Sequence, residues 1–263
     1  VPVSDVSAFV GDYPFRCIDS SSPAWLLSQM DRMGIDEAWV GHLPSAWYGD
    51  PSPGNAALES KLKGFENRLK LVPTIHPGLP NWEEDLNRAI GLGAAAARVY
   101  PVQQGIDPNG GEMRVLVAAA GSVGLPLLFT VRFEDSRQRN PADAAPELAP
   151  AAIRSLIRTD KEARFLVTHA GKEFVEEVHF GLTPGEAARL LWDFSWIWGP
   201  PENQLQKLLN TVGVDRFTLG TGMPLRIPDQ VFAKIDLLNL TDEECDMLLG
   251  GNLARWRPGP PAA

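Results

Sequence analysis

Arg164-Phe165-Leu166-Val167-Thr168-His169-Ala170-Gly171 is a short apolar run that ends on an imidazole followed by a glycine. Its apolar residues are continuous, and it is too short for a helix. That pattern reads as a strand buried on both faces, as parallel sheets require. Working outward, seven further runs of the same kind occupy residues 3–9, 37–41, 69–75, 94–100, 125–131, 190–197 and 216–220. Between them apolar residues recur at helical spacing, as in Trp25, Leu26, Leu27 and Met30, and again over 82–90, 113–120, 184–189 and 204–212. Eight strands alternating with helices in 263 residues predict an α/β chain folded as a (β/α)8 TIM barrel. A doubly wound sheet is the competing reading. Its glycine-rich turn after the first strand is missing, because Val10-Gly11-Asp12-Tyr13-Pro14 stands there instead. The barrel is expected to be one domain over residues 1–256, followed by a flexible tail at 257–263. Residues 48–55 and 138–150 read as loops, the latter with a loosely capped helix start as the alternative.

Composition narrows the partners. Lys+Arg 24 against Asp+Glu 33 gives a net charge of −9, which opposes binding to a phosphate backbone. No apolar run reaches the roughly 18 residues of a membrane span. Cys17 and Cys245 lie near opposite ends and belong to no CxxC pair, so neither a zinc ribbon nor a disulfide framework is expected. The chain reads as a cytoplasmic protein without nucleic-acid or membrane partners, its oligomeric state left open. Because it begins at Val1 and not Met, the chain is expected to be trimmed, and a signal peptide removed earlier would leave no trace in it.

In a barrel of this kind the active site forms where the strands end. The residues at those ends are Ser7 and Phe9, His42, His76, Arg98 with Tyr100, Thr130 with Arg132, His169, Asp193 with Ser195, and Gly222. His169 stands out, since an imidazole at a strand end can be a general base, a metal ligand or an oxyanion donor. It can equally hold a loop by bonding a carbonyl. Alternation puts Thr130, Arg132 and Glu134 on one face. Arg132 then either pairs internally with Glu134 or Asp135, or binds an anionic ligand, and Arg98 has the same two readings. A guanidinium suits a carboxylate because its fork matches two oxygens at once. His42 and His76 come from adjacent strands, but no HxH, HExxH or CxxC pattern accompanies them. His179 lies in an acidic helical stretch and reads as a surface or packing residue. Trp196 and Trp198 read first as packing and otherwise as walls of an aromatic pocket.

Asp5-Val6-Ser7-Ala8-Phe9-Val10-Gly11, Thr168-His169-Ala170-Gly171 and Gly220-Thr221-Gly222-Met223-Pro224, followed by Asn252-Leu253-Ala254-Arg255, resemble motifs of the amidohydrolase-related family. The likeness spans nearly the whole chain. It implies a TIM-barrel relative of metal-dependent hydrolases and decarboxylases. It also implies a departure: the family's first-strand Asp-x-His-x-His pair falls on Ser7 and Phe9, its fifth-strand histidine on Thr130, and its eighth-strand aspartate on Gly222. Only the sixth-strand histidine remains, as His169. Phenylalanine and glycine offer no ligand atom, so no metal and no other cofactor is expected. Pro14-Phe15-Arg16 and the segment Arg132-Phe133-Glu134-Asp135-Ser136-Arg137 mark a divergent branch.

The function expected is metal-independent hydrolysis of a lactone or similarly activated bond in a small carboxylate-bearing substrate. His169, Asp193 and Glu134 are the expected catalytic residues, and Arg98, Tyr100, Thr130 and Arg132 the substrate-binding ones. The alternative is a non-catalytic relative that binds a ligand or a partner.

Overall fold

A computed structural model describes residues 1–18 and 21–258. All eight runs contain strands: β1 (Ser4–Val10), β2 (Glu37–His42), β3 (Leu69–Leu71), β4 (Ala97–Val99), β5 (Leu127–Thr130), β6 (Phe165–Thr168), β7 (Leu190–Asp193) and β8 (Phe217–Thr218). Every pairing between neighbours is parallel. The regular ladders form two sheets, β1–β3 and β4–β8. Backbone bonds close both gaps. Arg98 N donates to Pro73 O and Ile75 N to Arg98 O on one side, and Val6 N to Leu219 O and Phe9 N to Met223 O on the other. The result is a (β/α)8 barrel.

The helices follow local chemistry. Helix α1 (Pro23–Met33) opens with Ser22 Oγ accepting from Trp25 N at 3.2 Å, places Pro23 where no amide is needed, and stops at Gly34 with φ +68°. Helix α2 (Ser52–Leu62) begins inside the stretch expected to be a loop. Its two prolines, Pro51 and Pro53, fall at the helix start, where amides have no partner to lose, and Asp50 Oδ1 accepts from Ser52 N. Gly54 in this helix permits a close approach, because a Cβ there would lie 1.9 Å from Ser45 Oγ and 2.8 Å from His42 Nδ1. Further helices are α3 (Trp82–Gly91), α4 (Gly111–Ser122), α5 (Pro150–Thr159), α6 (Lys172–His179), α7 (Pro184–Ala187), α8 (Gln204–Val212), α9 (Asp229–Asp236) and α10 (Asp242–Asp246). Helix α5 buries Ala152, Ile153, Leu156 and Ile157 along one stripe, the usual reason an amphipathic segment folds onto a barrel.

Alternation sorts each strand into two environments. Phe129, Val167 and Trp192 join the core shared with the helices, whereas Leu128, Leu166 and Leu191 pack inside the barrel with Leu253 and Trp256. Two residues further along the same strands come Thr130, Thr168 and Asp193, and Arg98 follows Ala96 in the same way. A polar layer thus sits on an apolar plug. Most of the tail expected at 257–263 lies outside the described residues. Within them, Arg257 Nη2 meets Glu37 Oε1 at 2.8 Å.

Candidate active site

The polar layer is held by short links between strands. Arg98 Nη1 donates to Thr130 Oγ1 at 3.0 Å, and the Thr130 and Thr168 hydroxyls lie 3.1 Å apart. Thr168 Oγ1 donates to Phe129 O at 3.3 Å, so the donors run from β4 through β5 to β6. On β1, Asp5 accepts from Ser7 N, Thr221 N and the Thr221 hydroxyl. Burial raises the Asp5 carboxyl above its ordinary range, and these bonds oppose the rise.

His169 is fully buried and has φ +60°, a left-handed conformation that costs a β-carbon residue about 1 kcal/mol or more. Its Nδ1 lies 2.8 Å from Arg132 O. A carbonyl only accepts, so Nδ1 carries the proton and Nε2 presents its lone pair. Ser7 Oγ lies 3.0 Å from Nε2 and therefore donates to it. Burial drives the His169 pKa down to about 3, with Arg226 and Arg98 adding to the fall and the Arg132 carbonyl opposing it. The imidazole is neutral at working pH. Gly222, with φ +74°, approaches the ring so closely that a Cβ there would sit 3.2 Å from Nε2.

Asp193 acts on the backbone of this centre. Its Oδ1 accepts from His169 N at 2.9 Å and its Oδ2 from Ser195 Oγ at 3.0 Å. Burial raises its pKa to about 6. These bonds turn the chain out of β7, so residues 194–197 leave the strand as a loop although they continue the apolar run.

Arg98 is also fully buried. Its guanidinium lies 4.5 Å over the Phe9 ring, and its Nε and Nη2 have no hydrogen-bond partner among the described residues. These two nitrogens form the side-on fork that Arg88 offers to Glu59 and Arg137 to Asp135 elsewhere in the molecule. The Tyr100 hydroxyl is the neighbouring polar group that Arg98 engages, and burial raises its pKa.

Above His169 opens a cavity of about 530 Å³ lined by Arg132, Trp196, Arg226, Ser195, Gly171 and Lys234, with Arg16, Arg137 and Lys172 adding charge. Six cationic side chains face three acidic ones, Glu134, Asp135 and Glu173, in a chain that is acidic overall. The Arg226 guanidinium stacks 3.7 Å from the Trp196 ring centre. Lys234 Nζ donates to Ser195 O at 2.8 Å, and burial lowers its pKa to about 8.

Some expected residues meet here and some do not. Arg132 does not pair with Glu134 or Asp135 as one of its readings had it; its Nη2 lies 2.9 Å from Glu147 Oε2. Glu134 is taken by Arg16 at 2.6 Å, and Asp135 by the guanidinium and amide of Arg137. Thr130 and Tyr100 lie with Arg98 in the interior and do not line the cavity. His42 Nδ1 lies 2.9 Å from Ser45 Oγ, whereas His76 Nδ1 accepts from Gly78 N, so the two serve separate turns. His179 ends α6, half-buried with its ring edge-on to Phe180. Trp196 and Trp198 both line the cavity. Arg226 and Lys234 lay beyond the strand-end reading, since they belong to the long segment after β8; a basic residue four places after Gly222 was the available signal.

The residues do not fit the divalent metal that the resemblance implies. At the expected ligand places stand a serine hydroxyl, a phenyl ring, a threonine and a glycine, and the phenyl ring carries the Arg98 cation on its face. Among the described residues no group of three His, Cys, Asp or Glu side chains could hold a metal ion. A second cation beside a buried guanidinium would also be repelled.

No protein-family model matches the chain, and no curated protein matches it. Solved structures share its fold. A 5-carboxyvanillate decarboxylase from Sphingomonas paucimobilis matches at 14% identity and TM-score 0.71, covering 97% of this chain and 98% of that one. A probable 2-pyrone-4,6-dicarboxylic acid hydrolase from Acinetobacter baumannii, solved with citric acid bound, matches at 12% identity and TM-score 0.67, with 97% and 99% covered. An amidohydrolase from Mycobacterium avium subsp. paratuberculosis matches at 16% identity and TM-score 0.64, with 89% and 74% covered. The structural neighbours are thus TIM-barrel hydrolases and decarboxylases of the amidohydrolase type. No helix among the described residues is long and apolar enough to cross a membrane.

Proposed function

We propose that the protein hydrolyses an activated ester bond, such as a lactone, in a small carboxylate-bearing substrate, without a metal ion. The observation that carries this reading is the side-on fork of Arg98, buried with no carboxylate hydrogen-bonded to it among the described residues, in the same barrel interior as a neutral, hydrogen-bond-oriented imidazole. A buried guanidinium without a carboxylate is costly, and a carboxylate is the ligand its fork fits. The cationic cavity draws an anion inward. Within the site His169 Nε2 removes a proton during attack; its lone pair is free at working pH, and the bond of Nδ1 to the Arg132 carbonyl opposes the burial that makes the ring a weak base, so only an activated bond suits it. Two structural neighbours named for carboxylate substrates, one of them solved with citric acid, support the substrate class.

The test is a panel of lactones and aryl esters with and without a carboxylate. Turnover confined to the carboxylate-bearing members, and lost in both His169→Ala and Arg98→Met, supports the proposal. Absence of turnover throughout, with a carboxylate still binding, would leave the second reading. In that reading the protein is a non-catalytic anion binder, which the complete burial of Ser7 and His169 favours.

A further inference from the structure

We infer that Ser7 is a nucleophile, and that hydrolysis passes through an ester between substrate and Ser7 Oγ instead of by direct attack of water. The inference rests on the hydrolase reading above and names the atom that attacks.

Four observations carry it. The Ser7 hydroxyl is the group that occupies the basic nitrogen of His169, at 3.0 Å, so the proton to be removed is already aimed at its acceptor. The other ring nitrogen is tied to the Arg132 carbonyl at 2.8 Å, which fixes the tautomer and stabilises the ring when Nε2 gains a proton. Both partners are held by backbone constraints: Asp5 Oδ1 accepts from Ser7 N at 2.9 Å, Asp193 Oδ1 holds His169 N at 2.9 Å, and the left-handed φ at His169 turns its ring toward β1. Glycine at 222 leaves the space beside Nε2 without a β-carbon.

Ser7 Oγ bonds to the acyl carbon while its proton passes to His169 Nε2. The carbon–oxygen bond of the lactone breaks, and the departing alkoxide takes the proton from Nε2. Water then adds to the Ser7 ester, giving its proton to Nε2, and Ser7 leaves with that proton. One water is consumed and the hydroxy acid is released. The Arg226 guanidinium rests on Trp196 and donates to Ser195 O at 3.2 Å; in the proposed reaction it leaves these partners and offsets the negative charge on the tetrahedral oxygen. Ser7 is fully buried and does not line the cavity, so the inference requires the side chains between them, Arg226 on Trp196 among them, to move before an acyl group reaches it.

A fluorophosphonate probe with peptide mass mapping tests this on the full chain. An adduct is expected on the peptide containing Ser7, absent in Ser7→Ala and His169→Ala. Lactone turnover is expected to fall about a hundredfold or more in Ser7→Ala, and Ser7→Cys is expected to keep labelling by a thiol-reactive β-lactone probe. Melting curves identify any variant that fails to fold, and Ser7→Cys, differing by one atom, keeps the test open. Turnover that survives in Ser7→Ala but not in His169→Ala overturns the nucleophile and leaves the hydrolase reading. A Ser7 adduct without lactone turnover supports the nucleophile and overturns the substrate assignment. No adduct on Ser7 in the folded wild-type protein overturns the inference.

Discussion

The Ser7 hydroxyl donates to His169 Nε2 across 162 residues of sequence, at 3.0 Å in the barrel interior. The bond depends on Gly222, which stands beside the same nitrogen at φ +74°. Gly222→Ala introduces both a left-handed β-carbon residue and a contact at 3.2 Å with the ring. A loss of about 1–3 kcal/mol in unfolding free energy is expected. Fluorophosphonate labelling and turnover should fall more than the lost stability explains. Equal melting and equal activity would show that the ring has room to move.

His169 and Asp193 make opposite contributions to pH dependence. In the fold His169 takes a proton only near pH 3, against 6.5 for an ordinary histidine, so its contribution is present above 6.5 and lost as pH falls toward 3. Asp193 holds its proton to about pH 6, against 3.8 ordinarily, so its contribution is present below 3.8 and lost as pH rises through 6. Between these limits the slopes oppose each other. His169→Gln should therefore lose stability relative to wild type as pH rises from about 4 to 6, at about 1.4 kcal/mol per pH unit. Asp193→Asn should gain relative to wild type over the same window. Urea titrations at half-unit intervals read both, and parallel curves would contradict the assignment.

Among the described residues Arg98 donates to Thr130, lies beside Tyr100 and rests on Phe9. Arg98→Met retains much of the volume and removes a buried cation that lacks a paired carboxylate. The variant should melt at or above the wild-type temperature, gaining about 1 kcal/mol in the absence of ligand. Acetate and benzoate should raise the melting temperature of the wild type alone. Strong destabilisation of the variant would mean that Asp5 and Asp193 depend on the Arg98 charge.

The cavity cations act through solvent and are screened by salt. Binding of citrate, followed by calorimetry, should weaken steadily as sodium chloride rises from about 10 to 150 mM, over which the screening length shrinks several-fold. Arg226→Ala should weaken it by about tenfold or more, the loss of one charged hydrogen bond. Arg137→Ala should change it little, because Asp135 already engages that guanidinium. Salt-independent binding would place the anion elsewhere.

Local physics is enough for much of the architecture. Helices α1 and α8 have the bounds that their apolar spacing predicts, because Ser22, Pro23 and Gly34 mark the limits of the first and Gly213 ends the second. The eight apolar runs all hold strands, since burial on both faces leaves a continuous signature in the chain. The start of α2 was less legible because Pro51, Pro53 and Gly54 are loop residues by propensity. They are tolerated at a helix start, and Gly54 is needed only because Ser45 packs against it. That His169 ends a strand was likewise readable from position, since Thr168 closes β6.

What the sequence could not determine is which strand ends touch. Arg132 had Glu134 and Asp135 as neighbours in the chain, yet Glu147 is the acid within reach, because Arg16 and Arg137 hold the other two. Arg98 looked like a mouth residue, but the layer spacing of β4 puts its guanidinium over Phe9, out of solvent. Ser7 meets His169 only because barrel closure brings β1 within reach of the residue after β6. Periodicity reports which face a side chain occupies, whereas its partner depends on barrel closure and strand register. Those are set by packing over the whole chain, so hydrophobic pattern determined the barrel and tertiary structure decided the site.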